Sequence, residues 1–473
     1  MEFETFKRKS IHGMKWTVII SAAGLLLGYA LQMVLAAVSP KALGIYSTFD
    51  IYIKLIAAFV LIGGAPVISQ YIPKIRSKSN FVFTYSLLIS VVLLVVFGVI
   101  SLFPEVFGWI GIDEAFIRVG LIILLPLVVV NLLLQYILNG FLDVASSILI
   151  EKIPLAGVAV TVLGYRLFGM PEDITKVLLG SFLVFYVVGI VIGLYRIRKY
   201  LKFKAIRLWL PKGFWKFLLF VHLATFLTFA YKNIDRIFVL GFFDIATLGV
   251  YQLIISLFFL TRILPQMFIR TLVPAYAYLL AHQTSTQLQR LNRIVLRYGI
   301  ALTFGVTMTI VCFGRIVLGW FGPMYAEYFP LLLFSLAFPV LLCFGYVTNP
   351  LLTSMERTDI NFYNSAFQIV LQFVLSLLLL RPLGIFGLLL ALLVGTLAAQ
   401  IYPIYVLYKA GNLSGVPREF TAQFFVMLAI GVALLSTNIL VMAISFLILN
   451  TGFILLNRFT FHEIWSVWGK YQW

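Results

Sequence analysis

The sequence predicts an all-α polytopic membrane protein of about fourteen transmembrane helices. Three observations predict it: an apolar composition, apolar runs of bilayer length, and basic residues gathered on alternate connections. Of 473 residues, 62% are hydrophobic and 11% are charged. A soluble domain carries roughly 45–50% apolar and about 25% charged residues. A soluble fold of this length could not cover its core with so little polar surface. The runs lack two-residue alternation, which argues against a membrane barrel.

A hydrocarbon core of about 30 Å takes about 20 helical residues. Runs of that kind predict spans near 16–38, 42–70, 81–103, 116–139, 147–168, 175–196, 216–241, 246–272, 298–319, 327–349, 361–380, 384–408, 420–436 and 438–457. Residues 420–457 are too long for one span and divide at Ser436-Thr437-Asn438. The first run, Trp16–Val38, exceeds the roughly 7–15 apolar residues of a cleaved signal peptide. It is therefore expected to stay as span 1, and Ala36-Ala37-Val38-Ser39 resembles a cleavage site only loosely.

The charges give the spans a direction. With the N-terminus placed in the cytoplasm, twenty-four Lys and Arg fall at inner ends and five at outer ends (Lys41, Arg118, Arg166, Lys176, Arg381). That asymmetry sets the orientation, with both termini cytoplasmic. All eight tryptophans fall at or beyond a span end, where interfacial anchors sit. The formal net charge of +18 therefore reflects inner loops and not a nucleic-acid surface. The largest inner connection, Arg196–Lys216, interleaves basic and apolar residues. It reads equally as an arm lying on an anionic inner leaflet and as an ordinary basic loop.

That connection separates two similar halves. Ser39-Pro40-Lys41-Ala42-Leu43-Gly44-Ile45-Tyr46 stands between spans 1 and 2, and Asp244-Ile245-Ala246-Thr247-Leu248-Gly249-Val250-Tyr251 between spans 7 and 8. They share L-G-[IV]-Y, and each runs through an apolar helix to a proline, Pro73 or Pro274. Six spans lie between them, so the repeats are parallel. The expected organisation is an N-lobe over 1–197, a basic linker over 198–215, a C-lobe over 216–410, and two extra helices with a tail over 411–473.

Six basic residues fall inside spans: Lys54, Lys232, Arg236, Arg262, Arg270 and Arg315, with Asp50 and Asp235. A charge at a helix centre costs at least about 2.5–3.5 kcal/mol on insertion scales, so such residues face water or pair with one another. Tyr46, Asp50 and Lys54 share a face of span 2, as do Arg262, Gln266 and Arg270 on span 8, the equivalent helix. Tyr231, Lys232, Asp235 and Arg236 cluster on span 7. Asp50–Lys54 and the span 7 cluster could simply neutralise themselves, whereas no acid lies within one turn of Arg262. Arg315, near a span end, can snorkel to the surface. A cationic cavity suits a phosphate-bearing ligand, because guanidinium and ammonium groups bind phosphate through charge-assisted hydrogen bonds. Asp50 and Asp235 are candidates for coupling to a cation or for fixed counter-charge.

The two L-G-[IV]-Y turns, Tyr71-Ile72-Pro73, Asp235 before the second turn, and Leu383-Gly384-Ile385-Phe386-Gly387 carry a resemblance over residues 10–410. They resemble the MOP exporter superfamily, and within it the Wzx-type polysaccharide flippases. The resemblance implies two parallel six-helix lobes in a V around a cationic cavity, with the two C-terminal helices outside that plan. It implies a flippase that moves a lipid-pyrophosphate-linked oligosaccharide across the cytoplasmic membrane by alternating access. Its site residues would be Lys54 and Arg262, with Lys232, Arg236 and Arg270 beside them. No cofactor, metal or catalytic residue is implied, and a monomer is expected.

A MurJ-type lipid II flippase is an alternative, but span 1 holds no arginine. A MATE-type multidrug exporter should have an acidic cavity. A polytopic membrane glycosyltransferase or polysaccharide ligase should carry catalytic residues on a sizeable outer loop. Here Asp113, Glu114, Glu172 and Asp173 read as solvated ends. There is no P-loop, G-x-S-x-G, H-E-x-x-H or paired C-x-x-C. Cys312 and Cys343 lie in apolar runs and read as packing residues.

Overall fold

The computed structural model describes residues 23–457 apart from 25, 73, 74, 76, 104–114, 142, 169–173, 202–206, 282–284, 356, 414–419 and 437. The described residues form helices and no strand. Ten helices are long and apolar enough to cross a bilayer, or twelve if each of two bent pairs is one span. Two shorter apolar helices, Leu26–Val38 and Thr421–Leu435, stand where spans 1 and 13 are predicted. The fold is that of a multi-pass membrane protein.

The chain divides into two compact units, Met1–Gly249 and Val250–Trp473. The first holds α1 (Leu26–Val38), α2 (Pro40–Val60), α3 (Gly64–Tyr71), α4 (Lys78–Leu102), α5 (Ala115–Gly140), α6 (Val144–Phe168), α7 (Ile174–Ile197) and α8 (Phe214–Phe242). Within it α5 packs against α2, α3, α6 and α7, and α8 packs against α2 and α3.

Predicted span 2 is broken, and the break is chemically closed. Gly63 and Gly64 adopt φ of 75° and 48°, left-handed values that glycine reaches at little cost. A broken helix in a bilayer must satisfy the carbonyls it frees. The Tyr85 hydroxyl on α4 does so, donating to the Ile62 carbonyl at 2.6 Å.

The repeated turns are alike in detail. Ser39 caps α2 by accepting the Ala42 N–H at 3.0 Å. Asp244 caps α9 (Ile245–Ala281) by accepting the Thr247 N–H at 2.6 Å. The Thr247 hydroxyl, and then this N–H, hold the Asp244 carboxyl below its usual range. The two helix starts also touch. The space a Cβ would take at Gly44 is filled by the Ile245 carbonyl, and that at Gly249 by the Pro40 carbonyl. Pro40 and Ile245 each open their helix, so the contact is reciprocal: each repeat's glycine receives the other repeat's first carbonyl.

The second unit holds most of α9, then α10 (Ser285–Phe321), α11 (Pro323–Glu327), α12 (Phe329–Leu336), α13 (Gly345–Ser354), α14 (Thr358–Leu383), α15 (Ile385–Lys409), α16 (Thr421–Leu435) and α17 (Ile439–Leu456). Predicted span 10 bends by 42° between α12 and the helical segment Leu341–Ser354, over a break that contains Pro339. The two last helices have a structural part here. Gln423 on α16 donates to the Ala337 carbonyl at that break. The rings of Phe304 on α10 and Phe453 on α17 lie 4.2 Å apart, and Phe344 stacks on Phe420 at 4.8 Å. Helices α16 and α17 thus pack against α10 and complete the hydrogen bonding of a bent span.

Overpacking costs about 1–3 kcal/mol when side chains give way, and a carbonyl gives way less readily. Gly44→Val and Gly249→Val should therefore each lower the midpoint of thermal unfolding, followed by size-exclusion chromatography in detergent. Gly98→Ala, with nothing within 4 Å of the added methyl, should leave it unchanged. Unaltered midpoints in both valine variants would contradict the contact.

Candidate functional site

Helix α2 is nearly encased in the first unit. Residues 42–49, 51–53, 57 and 60 are all buried. The side it leaves open carries Asp50 and Lys54, whose side chains are 31% and 54% exposed. Lys54 Nζ lies 2.5 Å from Asp50 Oδ1, an ion pair one helical turn long. Tyr46 stacks on Phe182 of α7 at 6.1 Å, which fixes the turn before Asp50. Lys54 is thus an accessible cation on a rigid helix, half neutralised by its own neighbour.

On α8 the cluster divides. Asp235 is buried, Lys232 is exposed and Arg236 is half-buried. Asn233 donates to the Phe229 carbonyl at 2.9 Å, and Arg236 Nη1 approaches Asn233 Oδ1 at 3.5 Å. Asp235 and Arg236 are anchored toward the protein while Lys232 turns outward.

In the second unit Arg262 follows a stretch of α9, Thr247–Phe258, that is buried throughout. Arg262 is half-buried, and its Nε is buried without a hydrogen-bond partner among the described residues. It lies within electrostatic reach of the Cys343 thiol and the Tyr346 phenol. The thiol in turn sits 3.4 Å from Thr303 Oγ1 on α10. Thr303 and Cys343 are fully buried, and Tyr346 is nearly so. Each of these neighbours is uncharged, so they can orient the guanidinium but cannot neutralise it. Predicted span 10 supplies two of them, a contribution that spacing along the chain does not reveal. The side chains of Gln266 and Arg270, like that of Tyr231 on α8, lie outside the described residues.

A second polar feature escapes a search for charges. Gln368, Gln372 and Ser376 are buried on one face of α14 and point at α15, where Gly395 lets the helices approach. Gln368 donates to Thr396 Oγ1 at 3.0 Å. The Gln372 amide and Ser376 hydroxyl are fully buried with no partner among the described residues. The four-residue spacing was the available signal. Among the described residues no group of three His, Cys, Asp or Glu is placed to hold a metal ion.

Solved structures similar to this chain are membrane transporters. The lipid II flippase MurJ in an inward closed conformation gives a TM-score of 0.65 at 13% identity, covering 93% of this chain and 98% of that one. An inward-facing multidrug resistance MATE family transporter of the MOP superfamily gives 0.61 at 13% identity, covering 88% and 96%. A MOP superfamily transporter from Pyrococcus furiosus, described by the reverse polarity of its binding pocket, gives 0.56 at 16% identity, covering 85% and 94%. These likenesses show the fold, which is that of the MOP superfamily transporters. No protein-family model matches the sequence, and no curated protein matches it.

If the open side of α2 faces water, Lys54→Cys should react with a membrane-impermeant maleimide when Cys312 and Cys343 are both replaced by Ala. Leu94→Cys on α4, where the native side chain is 69% exposed, should face lipid and stay unlabelled. An unreactive Lys54→Cys would show that this cation faces hydrocarbon.

Proposed function

We propose that the protein is a flippase that carries a lipid-pyrophosphate-linked oligosaccharide across the cytoplasmic membrane by alternating access, for surface polysaccharide biosynthesis. One observation carries the reading: Arg262 lies in a membrane span, and its neighbours among the described residues, Cys343 and Tyr346, are neutral. A cation there costs at least about 2.5–3.5 kcal/mol. A phosphate group arriving with the cargo would offset that cost through charge-assisted hydrogen bonds. Cys343, Tyr346 and Thr303 would hold the guanidinium in place but give it no competing anion.

Lys54 would be the second cation, tempered by Asp50. A tempered charge suits a carrier, since cargo must leave as well as bind. Lys232, Arg236 and Arg270 would extend the cationic lining, and Asp235 would serve as counter-charge or coupling group. The likeness to a lipid II flippase supports a lipid-linked cargo. The multidrug transporters share the fold, so the fold alone leaves the sign of the cargo open. The intramembrane residues, six basic against two acidic, favour an anion. The reading is of a monomeric transporter with both termini in the cytoplasm, acting without catalysis.

In a cell that depends on this protein for surface glycan, Arg262→Glu should reduce export at least tenfold. Lys54→Glu, which places two carboxylates one turn apart, should reduce it similarly. Protein levels in the membrane should be unchanged, and surface glycan staining reads the effect. Wild-type export by the double Glu variant would refute the cationic site.

A further inference from the structure

The first unit carries a surface that the transport reading does not use. The segment Arg207–Lys212, between α7 and α8, is strapped to the start of α4. The Arg207 N–H donates to Asn80 Oδ1 at 3.3 Å, and the Trp209 N–H donates to Thr84 Oγ1 at 3.0 Å. The spacing fits. Two extended residues span about 6.6 Å, and the helical step from Asn80 to Thr84 rises about 6 Å. The Thr84 hydroxyl also donates to the Asn80 carbonyl at 2.8 Å, which fixes its lone pairs toward the strap.

The far end of the strap is anchored by aromatic packing. Gly213, at φ 77°, turns the chain into α8. The next residue, Phe214, is buried between Tyr71, Phe81 and Tyr85 at ring separations of 5.8, 6.1 and 6.4 Å. A segment held at both ends cannot fold its own side chains under. It presents Arg207, Leu208, Trp209, Lys212 and Trp215, all exposed. Leu208 is 68% and Trp215 59% exposed, a high cost for apolar groups in water. Lys78, half-buried with its ammonium 5.8 Å from the Phe141 ring centre, opens α4.

Cations alternating with apolar and indole groups match one chemistry. Phosphodiester headgroups pair with Lys and Arg, indoles settle at the glycerol level, and leucine enters the acyl boundary. We infer that the Arg207–Lys212 strap is a binding site for anionic phospholipid headgroups of the inner leaflet. It holds the unit at the membrane surface through this one connection. The site is built by Asn80 and Thr84, which carry no charge, and charged by Arg207 and Lys212, which make none of the strapping side-chain bonds.

The full-length protein in detergent can be titrated with phosphatidylglycerol or phosphatidylcholine and read by native mass spectrometry. Wild type should bind phosphatidylglycerol in preference. Arg207→Gln with Lys212→Gln should weaken that binding about thirty-fold, at about 1 kcal/mol for each basic residue near an anionic surface. Asn80→Leu with Thr84→Val keeps every charge yet should weaken it at least fivefold by releasing the strap. Inorganic phosphate at equal concentration should not displace the lipid. Wild-type affinity in the Gln double variant would overturn the proposal. So would wild-type affinity in the Leu/Val double variant, which would reduce the effect to net charge. Displacement by inorganic phosphate would overturn the lipid as ligand. An unchanged melting temperature of the Gln variant, whose side chains are exposed, shows that folding is intact.

Discussion

One uncharged contact constrains the helix that carries Asp50 and Lys54, the reciprocal approach of two helix starts at Gly44 and Gly249. Neither position can hold a side chain, because each faces the opening carbonyl of the other repeat's helix. Backbones that touch this closely fix the axial register of the two helix starts within the first unit. At about 1.5 Å per residue, Lys54 lies about 15 Å and Arg262 about 20 Å along its helix from that contact. In a hydrocarbon core of about 30 Å, both cations fall where a charge is expensive. The caps at Ser39 and Asp244 support the same register by satisfying the first free N–H groups of each helix.

The two cations meet that expense differently. Lys54 carries its own counter-charge one turn away and stands on an open side of an otherwise encased helix. Arg262 is set beside a thiol and a phenol, the thiol itself held by a threonine hydroxyl, and these supply orientation without charge. Among the described residues these neighbours are neutral, and a guanidinium beside neutral groups responds most to an anion because none of them competes for it. The polar seam of Gln368, Gln372 and Ser376 belongs to the same economy of the bilayer. One buried amide, that of Gln368, bonds Thr396 on the adjacent helix there, and such a bond contributes on the order of 0.6 kcal/mol.

Much of this was legible in the sequence, for identifiable reasons. Span positions follow from run length, and the turns at Ser39–Tyr46 and Asp244–Tyr251 repeat because both perform the same capping and crossing. The Asp50–Lys54 pair is readable because helical spacing puts residues four apart on one face. Other features depend on distant partners and stay hidden. Hydropathy does not register the φ of Gly63 and Gly64, so the break in span 2 is invisible. Nor does it show that Tyr85, from the next helix, closes that break. The last two helices look like additions until Gln423 is seen to satisfy Ala337. Arg262 could be named from its cost, but Tyr346 and Cys343 come from a span far along the chain. The strap at Arg207–Lys212 reads as basic and aromatic, while its hold on Asn80 and Thr84 is a fact of tertiary structure.

The sign of the cargo's charge separates an anionic cargo from an organic cation, and transport in liposomes measures it. The purified protein would be given one labelled oligosaccharide carried on a lipid pyrophosphate or on an uncharged lipid alcohol. The pyrophosphate form is expected to cross the bilayer and the neutral form is not. Equal movement of both forms, or movement of an organic cation in their place, would contradict it.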